Sequence, residues 1–148
     1  MMLAPTMSGA ASAATVHPKA KPSAATYCKA AKSWLAFENA TLAAGPYDTL
    51  WYETTGELMT KLKAAAPKPI QSATRYLGYW LVTTRADLVS GLDGAVEERV
   101  EALVSDGLVL SAAGSGVTAA RDAVGAYARK NCKIDVLEPF RKFAEQNH

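Results

Sequence analysis

Apolar residues recur at helical spacing through long segments of this chain, and glycine or proline separates one segment from the next. Residues three or four positions apart share one face of an α-helix, so each segment predicts a helix with one apolar stripe. Proline and glycine end such helices because proline removes a backbone donor and glycine tolerates the turn that follows. Three predicted helices run from about Ser23 to Ala43, from Tyr47 to Ala66 and from Ile70 to Leu92.

The second half of the chain continues the pattern in shorter pieces. We expect a short helix up to about Ser105, a loop from Asp106 to Gly116, a helix from about Val117 to Asn131, and an amphipathic terminal helix that bears Phe140. Helices of this length, joined by short turns, must bury their stripes against one another. The sequence therefore predicts an all-α fold, an antiparallel bundle of four to five helices over residues 24–134, followed by a terminal helix over 135–148.

The N-terminal segment has a different composition. Residues 1–14 are small and apolar, carry no charge and end in Ala11-Ser12-Ala13, a pattern typical of signal-peptide cleavage sites. We interpret them as the end of a longer signal sequence; the alternative is a disordered tail rich in Ala, Ser and Pro. Residues 15–23 contain two prolines and scattered lysines, which favours an exposed linker.

Charge and hydropathy exclude several classes of protein. The 16 Lys and Arg residues nearly balance the 14 Asp and Glu residues, for a formal net charge of +2. Such a balance gives little attraction to nucleic acid or to an anionic membrane. The sequence also has no apolar run of the roughly 18 residues that a transmembrane helix needs. We therefore expect no nucleic-acid partner and no membrane span.

The two cysteines, Cys28 and Cys132, stand near the two ends of the helical region. Their wide separation excludes the chemistry of a CxxC motif, and two cysteines with only two histidines argue against a zinc site. In an exported chain we would expect them to pair, because oxidising compartments preserve disulfides. In a cytosolic protein they would be two buried free thiols.

Three stretches of sequence also carry a family resemblance: 27–31 (YCKAA), 62–67 (LKAAAP) and 123–132 (AVGAYARKNC). The chain resembles a broad group of secreted or lipid-anchored actinobacterial helical proteins of unknown function. These proteins have an early cysteine, an Ala-rich helix that ends in AAAP, and a late aromatic residue separated by three residues from Asn-Cys. The resemblance implies export and a Cys28–Cys132 disulfide, and it implies no catalytic residue. The chain departs from the group at Cys132-Lys133, where Cys-Gly is common, and in its tail from Ile134 to His148.

Residues suited to catalysis are few. The two histidines, His17 and His148, lie in the linker and at the terminus, so neither is placed to activate a nucleophile within the domain. A pair of carboxylates could act as acid and base in glycoside hydrolysis. The candidates Glu97, Glu98 and Glu101 share one short helix, however, and we interpret them as a solvated face.

Glu38 is the polar exception on an apolar stripe, since its position places it beside Tyr27, Trp34 and Leu42. A buried carboxylate would need a partner such as arginine or tyrosine. One interpretation makes Glu38 a carboxylate in a ligand pocket. The other, which we favour, lets it reach solvent near the end of its helix.

Amphipathic side chains flank the stripes of the second and third helices, and they suggest a groove between these two helices. Residues of this kind often border concave sites, because one part packs while the hydroxyl meets a polar ligand group. The candidate ligand-binding residues are Glu38, Tyr52, Met59, Tyr76, Tyr79 and Thr83. The alternative is that the aromatic residues simply form the edge of the core. Haem would require an axial ligand, for which the domain offers only Met59 or a tyrosine, so we predict no cofactor.

These observations favour a secreted, non-enzymatic binding or interaction module of the cell envelope. It would use the tyrosine-rich groove or the terminal helix with Phe140 to bind a small molecule or an envelope protein. An enzyme would instead require Glu38 to converge with one residue of the Glu97–Glu101 cluster in an open cleft. A purely structural or partner-binding surface protein is the third hypothesis, and it predicts that no pocket exists and that the terminal helix has an exposed apolar side.

Overall fold

A computed structural model of the chain describes residues 21–91, 98–104 and 115–147. These residues form six helices and no strand, which confirms the all-helical prediction. The predicted arrangement was a bundle of four to five helices followed by a terminal helix. The helices are α1 (Ala24–Thr41), α2 (Thr49–Ala65), α3 (Lys68–Gly91), α4 (98–104), α5 (Ser115–Cys132) and α6 (Glu138–Gln146). The predicted signal remnant, most of the predicted linker and the predicted loop from 106 to 114 lie outside the described residues.

Local signals account for the starts of α1 and α2. The side chain of Ser23 accepts a hydrogen bond from the Thr26 N–H, and that of Asp48 accepts one from the Trp51 N–H, so α1 and α2 both begin with a capped first turn. Gly45 adopts a positive φ of 67° in the link between them, a conformation that glycine reaches without strain. One predicted boundary was wrong, because Ser115 and Gly116 belong to α5 and not to the preceding loop.

The central helix is α3, which packs against both α2 and α5, while α1 packs against α2, α5 and α6. Two apolar clusters result. The larger one includes Tyr27, Trp34, Met59, Leu81 and Val124, and the smaller one joins Leu42, Tyr47, Trp51, Leu103 and Phe143. The terminal helix α6 contributes Phe143 to the smaller cluster and buries Pro139, so it does not present the exposed apolar side that the structural hypothesis required.

A disulfide joins Cys28 on α1 to Cys132 at the end of α5, as the family resemblance implied. The residue after it, Lys133, has a positive φ of 58°. This left-handed conformation costs a residue with a Cβ about 1 kcal/mol, so glycine would suit this position better. The bond covalently ties the start of the first helix to the last segment of the chain.

Candidate functional site

One charged pair lies in the core between α1 and α3. The Nη1 and Nη2 atoms of Arg85 donate hydrogen bonds to Oε1 and Oε2 of Glu38 at 2.7 and 2.6 Å, and both side chains are fully buried. A bidentate arginine–carboxylate pair satisfies both oxygens with charge-assisted hydrogen bonds. The expectation that Glu38 reaches solvent was therefore wrong, because Arg85 supplies its counter-charge inside the protein.

Aromatic and hydroxyl groups surround the guanidinium of Arg85. Its Cζ atom lies 4.7 Å from the ring centroid of Trp51 and 5.4 Å from that of Trp34. The ring of Phe140 lies at 5.8 Å, and Nη1 also donates to the hydroxyl of Thr55 at 3.2 Å. Cations interact favourably with ring faces at these distances. This ion-pair centre thus joins α1, α2, α3 and α6.

The ion-pair centre, formed by Glu38 and Arg85, is suited to holding helices together. Both carboxylate oxygens of Glu38 are bound to Arg85, and no surface of either side chain reaches solvent. A general base or a ligand-binding carboxylate must instead contact the molecule on which it acts. Two N–H groups at the centre, Nε of Arg85 and Nε1 of Trp51, have no acceptor among the described residues, so the charge is held at some cost in free energy.

The six predicted ligand-binding residues lie in different surroundings. Glu38 lies in the ion pair, Met59 lies in the larger core cluster, and Tyr52 is partly buried. The side chains of Tyr76, Tyr79 and Thr83 are exposed. Tyr76, Tyr79 and Thr83 therefore lie on the surface of α3, and ligand binding by the six residues stays a prediction.

An internal cavity does exist near the centre of the larger cluster, but its volume is only about 20 Å³. That is room for about one water molecule. The hydroxyl groups in its lining belong to Tyr27 and Thr74, and they form a hydrogen bond with each other at 3.2 Å. The other lining residues include Trp34, Met59, Leu77, Leu81, Val124 and Phe140. The cavity is too small for the drug-sized or cofactor-sized ligand that a binding pocket usually holds.

The outer surface of α3 carries the exposed aromatic residues. The chain has three tryptophans, six tyrosines and three phenylalanines, and all of them except Tyr76 and Tyr79 are buried or partly buried. Tyr76 is 50% exposed and Tyr79 is 72% exposed. Thr83 follows one helical turn later and is also exposed, so the three side chains share one side of α3. We call this surface the tyrosine face.

Two residues of the site were not predicted from the sequence: Arg85, the partner of Glu38, and Thr55, which accepts a hydrogen bond from Arg85. Arg85 follows Leu81 by four residues and therefore lies on the buried stripe of α3, but a search for apolar residues passes over a charge. The available signal was the coincidence of two opposite charges on two apolar stripes. Glu38 and Arg85 are each unexpected alone in a core, and each provides the counter-charge that the other requires there.

Comparisons with protein-family models, with characterised proteins and with solved structures give a single result. None of them matches this chain. Within the ranges that the structure describes, no helix is long and apolar enough to cross a membrane. The same residues contain no group of three or more His, Cys, Asp or Glu side chains that could hold a metal ion.

Burial of Tyr27 predicts a loss of stability in alkali. Desolvation raises the pKa of Tyr27 to about 12, and its hydrogen bond with Thr74 offsets only part of that effect. Above the ordinary tyrosine pKa of about 10, the unfolded chain releases a proton that the folded chain keeps. The free energy of unfolding should therefore fall by about 1.4 kcal/mol per pH unit between about pH 10 and 12 through this residue alone.

Urea unfolding of the wild type and of Tyr27→Phe across this pH range measures the effect. The variant should lose the extra alkaline slope, whereas Tyr79→Phe, which removes an exposed phenol, should retain it. Parallel stability profiles for the wild type and Tyr27→Phe would contradict the prediction.

Proposed function

We propose that this chain is an exported, non-enzymatic binding module that recognises a partner protein through the tyrosine face of α3. The observation that carries the proposal is the exposure of Tyr76 and Tyr79 in a chain whose other aromatic residues are all at least partly buried. Tyrosine is enriched at protein interfaces, because its ring supplies contact area at low entropic cost while its hydroxyl bonds to polar groups.

The construction of α3 suits a recognition surface. Behind the tyrosine face, α3 buries Leu77, Leu81 and Arg85, and the last of these is held by the ion pair with Glu38. The hydroxyl of Tyr76 lies against Gly116 of α5, where a Cβ atom would come within 2.8 Å of it. Aromatic side chains presented from a rigid helix lose little freedom on binding, which favours affinity.

Export is the second part of the proposal, and the disulfide supports it. Disulfides persist in oxidising compartments and are rare in the cytosol of mesophiles. The Cys28–Cys132 bond also agrees with the resemblance to secreted or lipid-anchored actinobacterial helical proteins, and we propose that the chain is one of them.

A non-enzymatic role is supported by the positions of the carboxylates. The enzyme hypothesis required Glu38 and a residue of the Glu97–Glu101 cluster to face one open cleft. Glu38 is fully buried in its ion pair, whereas Glu98 and Glu101 are exposed on α4, and Glu97 lies outside the described residues. A carboxylate enclosed in this way cannot reach a sugar substrate.

Site-specific photo-crosslinking tests the proposed interface. We would place a photoreactive phenylalanine at position 79 in the cells that produce the protein, with position 60 on α2 as the control. The expected result is a cross-linked species from position 79 that contains a different protein, is absent from position 60, and is lost when Tyr76→Ala is added. A product of twice the mass of the chain, or equal products from both positions, would contradict the proposal.

A further inference from the structure

Basic residues concentrate in three short segments of the chain. Segments 21–33, 61–69 and 129–135 contain nine of them and one acidic residue, Asp135, for a local net charge of +8, although the whole chain carries only +2. The nine are Lys21, Lys29, Lys32, Lys61, Lys63, Lys68, Arg129, Lys130 and Lys133. The near-neutral total therefore conceals a strong separation of charge.

The fold brings these three segments to one end of the molecule. The N–H of Ser23, which caps α1, donates to the carbonyl of Ala65 at the end of α2 at 3.3 Å. The disulfide joins Cys28 to Cys132, the last residue of α5. Because α3 begins at Lys68, directly after α2, the N-termini of α1 and α3 and the C-termini of α2 and α5 all lie here. We call this surface the basic end.

The charges of the basic end are available for binding. Eight of the nine side chains are exposed, and Lys63 is partly buried. None of the nine forms a salt bridge with any residue of the described ranges. The single acidic residue, Asp135, is paired with Arg141, and its interaction with the basic end is a weaker one with Arg129.

Five acidic residues lie toward the other end of the helices. Asp48 and Glu53 are at the start of α2, Asp87 is near the end of α3, and Glu98 and Glu101 are on α4. Charges separated in this way give the molecule one strongly positive surface that attracts anions over a distance of roughly the Debye length, about 10 Å at moderate salt.

We propose that the basic end docks on an anionic phospholipid bilayer. Lysine predominates over arginine there, and a lysine acts as a point charge toward phosphate without selecting a particular geometry. The charges lie around the ends of four helices, a broad surface suited to a flat membrane. Single-stranded nucleic acid would instead call for a groove with stacking aromatic residues, and the exposed tyrosines lie on the side of α3.

This orientation would leave the tyrosine face accessible. Tyr79 lies eleven residues after Lys68 on α3, which corresponds to about 16 Å along the helix axis. The membrane contact and the proposed protein contact therefore use different surfaces, and either proposal can fail without the other.

Vesicle co-sedimentation with the oxidised, full-length chain tests the membrane proposal. The protein should sediment with phosphatidylcholine vesicles that contain phosphatidylglycerol, remain in solution with phosphatidylcholine alone, and dissociate as salt is added. Lys130→Gln should weaken binding about fivefold, and the combined variant Lys29→Gln, Lys32→Gln, Lys61→Gln and Lys130→Gln should weaken it by roughly a thousandfold. All four side chains are exposed, so circular dichroism should show an unchanged fold.

The matched control is Lys142→Gln on α6. Lys142 is exposed and lies next to Phe143, which belongs to the smaller core cluster with Trp51 and Leu103, away from the basic end. The affinity of Lys142→Gln for the vesicles should equal that of the wild type. Equal binding by the fourfold variant, no binding to phosphatidylglycerol vesicles at low salt, or tighter binding to duplex DNA than to these vesicles would each overturn the proposal.

Discussion

Replacing Arg85 by methionine is expected to lower the free energy of unfolding by about 3–5 kcal/mol. Methionine fills much of the same volume but leaves the carboxylate of Glu38 buried without a counter-charge, and that desolvated charge accounts for most of the loss. Because small domains are stable by only about 5–15 kcal/mol, urea denaturation should show a large shift of the midpoint.

Replacing both Glu38 and Arg85 separates the cost of an unpaired buried charge from the contribution of the ion pair to the free energy of unfolding. The double variant Glu38→Leu and Arg85→Met removes both charges and should be more stable than either single variant, since apolar side chains often replace a buried ion pair without loss. The exposed pair Glu138–Lys142, at 3.6 Å, provides the control. Lys142→Met should cost at most about 1 kcal/mol. Additive losses in the double variant would show that Glu38 and Arg85 are not coupled.

Removing the disulfide is expected to cost about 4–5 kcal/mol. The bond joins residues 104 positions apart, so most of the chain lies within the loop that it closes. Its principal effect in the chain-entropy model is to restrict the unfolded state, and loops of this length give nearly the largest effect. The native helices should persist in Cys28→Ala with Cys132→Ala, with an earlier urea midpoint and a steeper dependence on urea because the unfolded chain expands further.

Reduction provides an independent measurement of the same effect. Dithiothreitol should lower the urea midpoint of the wild type to that of the double alanine variant and should leave the variant unchanged. If the wild type keeps its midpoint after complete reduction, the bond contributes nothing to the stability of the fold.

The helices could be predicted from the sequence because their signals are local. Pro67 and Asp48 act within one turn of the residues they influence, and the predicted bounds of α1, α2 and α3 agree with the structure to within about two residues. The positions of α2 that point inward were less predictable. Of two adjacent threonines, Thr55 is buried and Thr54 is only partly buried.

The candidate site could be predicted only in part. Glu38 was recognised as unusual, but its partner Arg85 lies 47 positions away, and periodicity within one helix carries no information about the helix that packs against it. Tyr76 and Tyr79 were recognised as a stripe on α3. Whether that stripe faces α2 or solvent depends on where α5 packs, which is a property of the whole fold.

The sequence by itself determined the helical character of the chain and the approximate ends of its main helices, because these follow from contacts within about four residues. Only the tertiary structure decided that Glu38 meets Arg85, that the tyrosines of α3 face outward, and that three separate basic segments form one surface. Each of these depends on which helices become neighbours, and that choice is made by burying all the apolar stripes together.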